Sequence, residues 1–232
     1  DLHSFPTRRS SDLDYPNRIS SVIFTYGCNL RCPYCHNPEL VIEKIEKDNI
    51  LSEEYVLDFL KKRKFFIDGV VITGGEPLIH KDVDKFIKKI KDIGLLVKLD
   101  TNGGYPKKLR SLIKKGLIDY IDMDIKYSKE IYEKGLNGGQ PIPDIQESID
   151  IIMNSGLEYS FRTTYVKSLH TVDSVSDICK MIKGADTYYI QNFRAGKTID
   201  PSLDSSFSFS RKELKDMKGR ASHYVKKVII RD

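Results

Sequence analysis

The 232-residue sequence predicts an α/β protein built on a parallel sheet. Three observations carry this. Short apolar, β-branched runs alternate with amphipathic stretches from about residue 19 onward, and the order βαβαβα demands parallel strands joined by right-handed crossovers. Four of the amphipathic stretches are followed by a glycine (Gly94, Gly116, Gly156, Gly184), as helices closed by a C′ glycine are. The apolar runs end in polar or glycine residues, where parallel α/β folds build their sites.

Taken in order, the strand runs are 21–25, 69–73, 95–100, 120–125, 159–166 and 187–191. The helical stretches are 52–64, 81–93, 106–115, 142–155 and 172–183. The first opens on Ser52 followed by Glu53 and Glu54, an N-cap with acids that suit a helix N-terminus. About six such units allow an open or partial barrel. After Pro201 the pattern weakens to one helix, 210–219, and one last strand, 225–230. No repeat and no second domain is visible, so residues 14–232 read as one domain.

Residues 1–13 stand apart. They contain no apolar core, do not form a signal peptide, and resemble a translated sequencing-adapter read-through; the alternative is a disordered tail. They are left out of the fold, and the natural start is expected either to be missing or to lie near Asp14. No stretch approaches the roughly 20 apolar residues that span a membrane. The expectation is a cytoplasmic protein without membrane contact. A net charge of +5 does not signal nucleic acid. The lysines at 61, 62, 64, 88 and 89 lie on helices and read as solvated faces, or as attraction for an acidic electron-transfer protein.

Three of the four cysteines, Cys28, Cys32 and Cys35, fall in the spacing CxxxCxxC just after the first strand run. A tight thiolate cluster usually means a metal. Pro33 argues against a helix through this loop. Three thiolates leave one iron of a four-iron cluster open, and an open position is where chemistry happens. Two other readings stand beside this one: a disulfide with a spare thiol, and structural zinc with His36 as fourth ligand. Nothing marks a secreted chain, and no second ligand pair of the kind zinc sites use is present. Cys179 sits on the apolar face of a helix and reads as a buried packing thiol.

The run Cys28-x-x-x-Cys32-x-Tyr34-Cys35, with its aromatic before the third cysteine, resembles the cluster loop of radical S-adenosylmethionine (radical SAM) enzymes. The extension Cys35-His36-Asn37-Pro38 resembles the activating enzymes of glycyl-radical proteins, notably those of anaerobic ribonucleoside-triphosphate reductase and pyruvate formate-lyase. The likeness covers residues 14 to about 201. It implies a partial (β/α)6 TIM-like barrel, a 4Fe-4S cluster on the three cysteines, and S-adenosylmethionine on its open iron. It also implies a glycyl-radical enzyme as partner and a flavodoxin- or ferredoxin-like electron donor. An auxiliary ferredoxin-like cluster domain, found in some activases, lacks the cysteines it would need.

The strand ends fit that resemblance. Thr73-Gly74-Gly75-Glu76-Pro77 offers two glycines for close backbone approach and a carboxylate; the resemblance implies that this motif receives the cofactor's amino group. By alternation Asp122, Asp124 and Lys126 share one strand face, where buried charges must be paired or ligated. A structural salt-bridge network is the plain reading. The resemblance instead assigns the matching positions to the cofactor's carboxylate and ribose. Asp100, Thr101 and Asn102 end the third strand; Asp100, Thr101 and Asp124 match a monovalent-cation site of the pyruvate formate-lyase activase, so the resemblance allows such an ion here. Arg162, mid-strand, is expected either to pair with Asp122 or Asp124 or to touch the cofactor. Gln191 stands where the pyruvate formate-lyase type has histidine, which weakens that narrower assignment. His36 and Asn37 are expected to tune the cluster through hydrogen bonds. The loop 135–140 is glycine-rich but lacks a P-loop lysine.

The function expected is a radical SAM oxidoreductase that activates a glycyl-radical enzyme, with the anaerobic reductase as first partner. The alternatives are a radical SAM enzyme acting on a small molecule and, in a different class, a metal-binding interaction module without catalysis.

Overall fold

Among the described residues, seven strands lie side by side in chain order, every pair parallel. They are β1 Ser20–Thr25, β2 Gly69–Gly74, β3 Leu96–Thr101, β4 Tyr120–Asp124, β5 Glu158–Tyr165, β6 Thr187–Asn192 and β7 Lys227–Arg231. The computed structural model describes residues 14–42, 50–133 and 145–232. The 1–13 segment, the 135–140 loop and the start of the stretch expected at 142 lie outside the described residues.

The helices are α1 Pro38–Val41, α2 Glu53–Arg63, α3 Val83–Ile93, α4 Pro106–Lys114, α5 Lys129–Glu133, α6 Ile145–Met153, α7 Ser174–Met181 and α8 Arg211–Ala221. Ser52 caps α2, its hydroxyl accepting from the Tyr55 amide at 3.2 Å. The four glycines expected to end helices all take positive φ. The helices α1 and α5 were not expected: each has five residues or fewer, too short to show a period. The last strand joins the sheet beside β6, so six strand–helix units are followed by a seventh strand. The sheet stays open, with β1 and β7 at its two edges.

Alternation sorts the side chains. Ile72, Leu99, Ile121, Met123, Phe161 and Ile190 belong to the main apolar core, where they pack with helix residues such as Leu60, Phe86, Ile90, Leu112, Ile149 and Met217. Cys179 is fully buried in this same core. Burying such side chains contributes about 1.5–3 kcal/mol each. The opposite face has a smaller apolar cluster of Tyr15, Val22, Val71 and Tyr120. Further along the strands that face turns charged. Register sets Asp100 beside Asp122, Asp122 beside Ser160, and Asp124 beside Arg162, so these groups share one surface.

Candidate active site at the C-terminal ends of the strands

The cysteine loop leaves β1 through Gly27 and is pinned from several sides. Gly27 N–H donates to the Leu40 carbonyl at 2.7 Å, Cys35 N–H to the Cys32 carbonyl at 3.0 Å, and Asp200 N–H to the Pro33 carbonyl at 2.9 Å. Arg31 donates to the Cys28 and Leu30 carbonyls at 2.6 and 2.9 Å. Leu30, Cys32 and Tyr34 are buried against Val166, Phe193 and Leu203. The loop is therefore a packed wall, and residues of the β5 and β6 exits complete it.

The Gly74-Gly75 turn packs on that loop backbone to backbone. Gly75 N–H donates to the Thr25 carbonyl at 2.9 Å, and Glu76 N–H to the Gly27 carbonyl at 2.8 Å. A Cβ on Gly75 would stand 1.9 Å from the Gly27 oxygen; one on Gly74, at φ +114°, would stand 2.3 Å from the Thr25 nitrogen. Gly74 is thus required by its contact with the end of β1 and Gly75 by its contact with the start of the cysteine loop, a reason that sequence spacing alone did not reveal.

Glu76 sits behind the turn. Its side chain is fully buried and does not line the cavity beside Gly74 and Gly75. Its carboxylate accepts from Leu78 N–H at 3.1 Å, the Thr101 hydroxyl at 2.8 Å and Asn102 N–H at 2.7 Å. It ties the β2 exit to the β3 exit. Burial pushes its pKa from 4.5 up to about 7 against the pull of those donors. Asn102 in turn donates to Asn29 Oδ1 at 2.8 Å and lies 3.8 Å from Cys28 Sγ. The link therefore runs from Glu76 through Asn102 to the first cysteine.

One cavity of about 310 Å³ opens at these strand ends. The structure brings the remaining expected residues to its wall. The loop contributes Cys28, Cys32, Cys35, Tyr34, His36 and Asn37, β2 contributes Gly74 and Gly75, and the β3 exit contributes Asp100, Thr101 and Asn102. Asp124 and Lys126 come from the β4 exit, Arg162 from β5 and Gln191 from β6. Tyr34 is buried, and among the described residues its hydroxyl has no hydrogen-bond partner. His36 stacks on Phe193, ring centres 5.7 Å apart, and burial lowers its pKa. Burial pushes the Cys28 thiol up to about 12 and raises Cys32 as well. A bound metal stabilises the thiolate form of such thiols, and their protons are released to solvent.

Asp100, Asp124, Lys126 and Arg162 line the cavity and belong to a network of six charges that continues beneath it to Asp122 and Lys98. Arg162 grips Asp124 with two bonds, at 2.9 and 2.8 Å, and reaches Asp122 at 3.2 Å. Lys126 Nζ stands 3.4 Å from Asp124. Burial alone would push the Asp124 carboxyl up, but Arg162 and Lys126 hold it well below the usual carboxylate range. Arg162 thus pairs with both of the carboxylates expected for it. The sixth member, Lys98, was missed. Its ammonium contacts Asp100 and lies 3.5 Å from Asp122. The signal was present: Lys98 interrupts an apolar run two residues before Asp100, on the same face. His170, which shows no ligand spacing in the sequence, packs beside this network: its Nε2 pairs with the Lys126 carbonyl at 2.9 Å and its ring stacks on Tyr127.

Among the described residues, no three His, Cys, Asp or Glu side chains converge on a single-ion position. The three thiols share the cavity wall instead, an arrangement that suits a polynuclear cluster with one iron per thiolate.

Comparison with known proteins agrees with this geometry. A family model described as the radical SAM superfamily matches residues 22–183. A Methanocaldococcus jannaschii protein provisionally named a glycyl-radical enzyme activating enzyme is 36% identical over 228 residues, 95% of this chain and 92% of its own. The GTP 3',8-cyclase of Clostridium botulinum is 29% identical over 166 residues, 70% of this chain and 51% of its own. Among solved structures, Streptococcus suis SuiB bound to S-adenosylmethionine superposes with a TM-score of 0.68 at 16% identity, over 91% of this chain and 50% of that one. The anSMEcpe enzyme with bound AdoMet gives 0.60 at 16% identity, over 85% and 57%. The chain spans about half the length of these solved structures, and at such identity they speak for the fold alone. The family model reaches from β1 to the end of the α7 crossover, and a relative matches nearly end to end; this protein belongs to the radical SAM superfamily.

Proposed function

We propose that this protein is an activating enzyme that installs a glycyl radical on a partner protein. The observation that carries the reading is the relative named for that activity, alike over 95% of this chain and 92% of its own length. The Cys35-His36-Asn37-Pro38 run supports the same class, and anaerobic ribonucleoside-triphosphate reductase is the first partner we infer.

The residues fit the groups this family uses. Cys28, Cys32 and Cys35 would hold a 4Fe-4S cluster, since all three thiols share the cavity wall. S-adenosylmethionine would lie along the wall formed by Gly74, Gly75, Asn102, Asp124, Lys126, Arg162 and Gln191. Bound there, the cluster would supply one-electron reduction of the cofactor's sulfonium group.

What the chain itself does is positioning and exclusion of water. The charge network holds Asp124 and Lys126 in fixed places, so their polar atoms are pre-arranged toward a zwitterionic ligand. Asn102 steadies Cys28, and Glu76 steadies Asn102. Leu30, Tyr34 and Phe193 keep the loop dry from behind.

The test is anaerobic. The reconstituted protein, S-adenosylmethionine and a chemical reductant standing in for the flavodoxin- or ferredoxin-like donor are mixed with candidate glycyl-radical enzymes. A glycyl-radical doublet by electron paramagnetic resonance on one candidate supports the reading. Cofactor cleavage with turnover of a small metabolite and no radical on any candidate replaces it with a small-molecule enzyme. A colourless one-zinc protein that cleaves nothing replaces both with an interaction module.

A further inference from the structure

We propose that Lys98 is a built-in cation, and that this protein therefore does without the monovalent ion its resemblance allows. The three positions that match that ion's site, Asp100, Thr101 and Asp124, are each engaged by the chain itself. Asp100 carries the Lys98 ammonium. Asp124 is gripped by Arg162 and flanked by Lys126. The Thr101 hydroxyl donates to Glu76 at 2.8 Å and accepts from Gly103 N–H at 3.2 Å.

Charge counting gives the same answer. The contact set holds three carboxylates (Asp100, Asp122, Asp124) and three cations (Lys98, Lys126, Arg162). Lys98 is only 1% exposed, and lysine is almost never buried to that degree without a partner. Its stem passes the Tyr120 ring, with Nζ 5.9 Å from the ring centre, to deliver the ammonium between two strands. Adding an ion to this balanced set would leave an uncompensated buried charge. Removing Lys98 would leave the opposite one, with a vacancy suited to a compact monovalent charge. Lysine, a compact ammonium on a flexible stem, suits that task better than a planar guanidinium.

The inference goes beyond the proposed activity and does not depend on it, because the test reads stability. Cluster-loaded protein is melted in potassium, sodium and choline chloride at matched ionic strength. The wild type is expected to melt at the same temperature in all three. Lys98→Met is expected to melt lower, and potassium or sodium should raise it above choline by about 3–6 °C, the shift of a ligand at ten times its Kd in a domain of this size. Lys98→Gln serves in its place if the methionine variant does not fold. The double variant Lys98→Met/Asp122→Asn restores the balance and should lose the ion preference. Selective stabilisation of the wild type by potassium or sodium overturns the proposal. So does a Lys98 variant that folds and responds to all three salts alike.

Discussion

Replacing Glu76 with glutamine should make the protein relatively more stable as pH rises, although the carboxylate accepts three hydrogen bonds. Burial raises its pKa from 4.5 to about 7, so the folded state holds the proton more tightly than the unfolded chain does. The sign follows from linkage. The protonated form favours folding below about pH 4.5, and that contribution is lost as pH rises through about 7. Integrated between pH 5 and pH 8 with 1.36 kcal/mol per pH unit, the loss is about 2.5 kcal/mol. Glutamine does not titrate. The stability of the variant minus that of the wild type should therefore climb by about 2.5 kcal/mol over this range, while other titrations cancel in the difference. Urea melts of both proteins at half-unit steps, kept anaerobic, give the two curves. Parallel curves would show that the fold does not shift Glu76. A difference that falls with pH would mean that the donors from Leu78, Thr101 and Asn102 outweigh burial.

Three further outcomes are expected. Alanine at Cys28, Cys32 or Cys35 should abolish iron binding and cofactor cleavage, whereas Cys179→Ala should keep both, because that thiol lies in the helix-packed core; iron analysis of the four variants decides. Gly75→Ala should fail to load iron or fail to fold, since its Cβ would meet the Gly27 carbonyl oxygen at 1.9 Å; iron content equal to wild type would refute the interlock. Lys126→Ala should weaken S-adenosylmethionine binding by about 1.5–3 kcal/mol, the loss of one charge-assisted bond, with iron unchanged; equilibrium binding at constant salt measures it.

Much of the fold was legible because strand and helix periods differ and glycines mark the helix ends. The site was legible where a strand face dictates direction. Asp122, Asp124 and Lys126 were placed together by alternation, and Arg162 was expected against the carboxylates it meets. Legibility stopped where the pleat stopped. Gly74 turns the chain at φ +114°, so alternation no longer says where Glu76 points, and the carboxylate runs behind the wall instead of into the cavity. Lys98 was missed for another reason. A lone lysine in an apolar strand declares its burial only once its partners are known, and one of them, Asp122, is 24 residues away. The short helices α1 and α5 follow from local contacts too brief to leave a pattern.

The clasp between Gly74-Gly75 and the backbone ahead of Cys28 has a consequence for engineering. The two motifs lie far apart in the chain, yet their main chains touch with no room for a side chain between them. They are one part made in two pieces. A cysteine loop grafted alone onto another parallel barrel would arrive without the surface that shapes it. A transplant would have to carry the glycine turn, the strand pairing that aligns Thr25 with Gly74, and the carboxylate at Glu76 that fastens the next loop. Portability of this site is thus a property of two adjacent strands and a third strand's exit, and libraries built by swapping single loops should yield far fewer iron-loaded proteins than libraries that exchange the whole β1–β3 block.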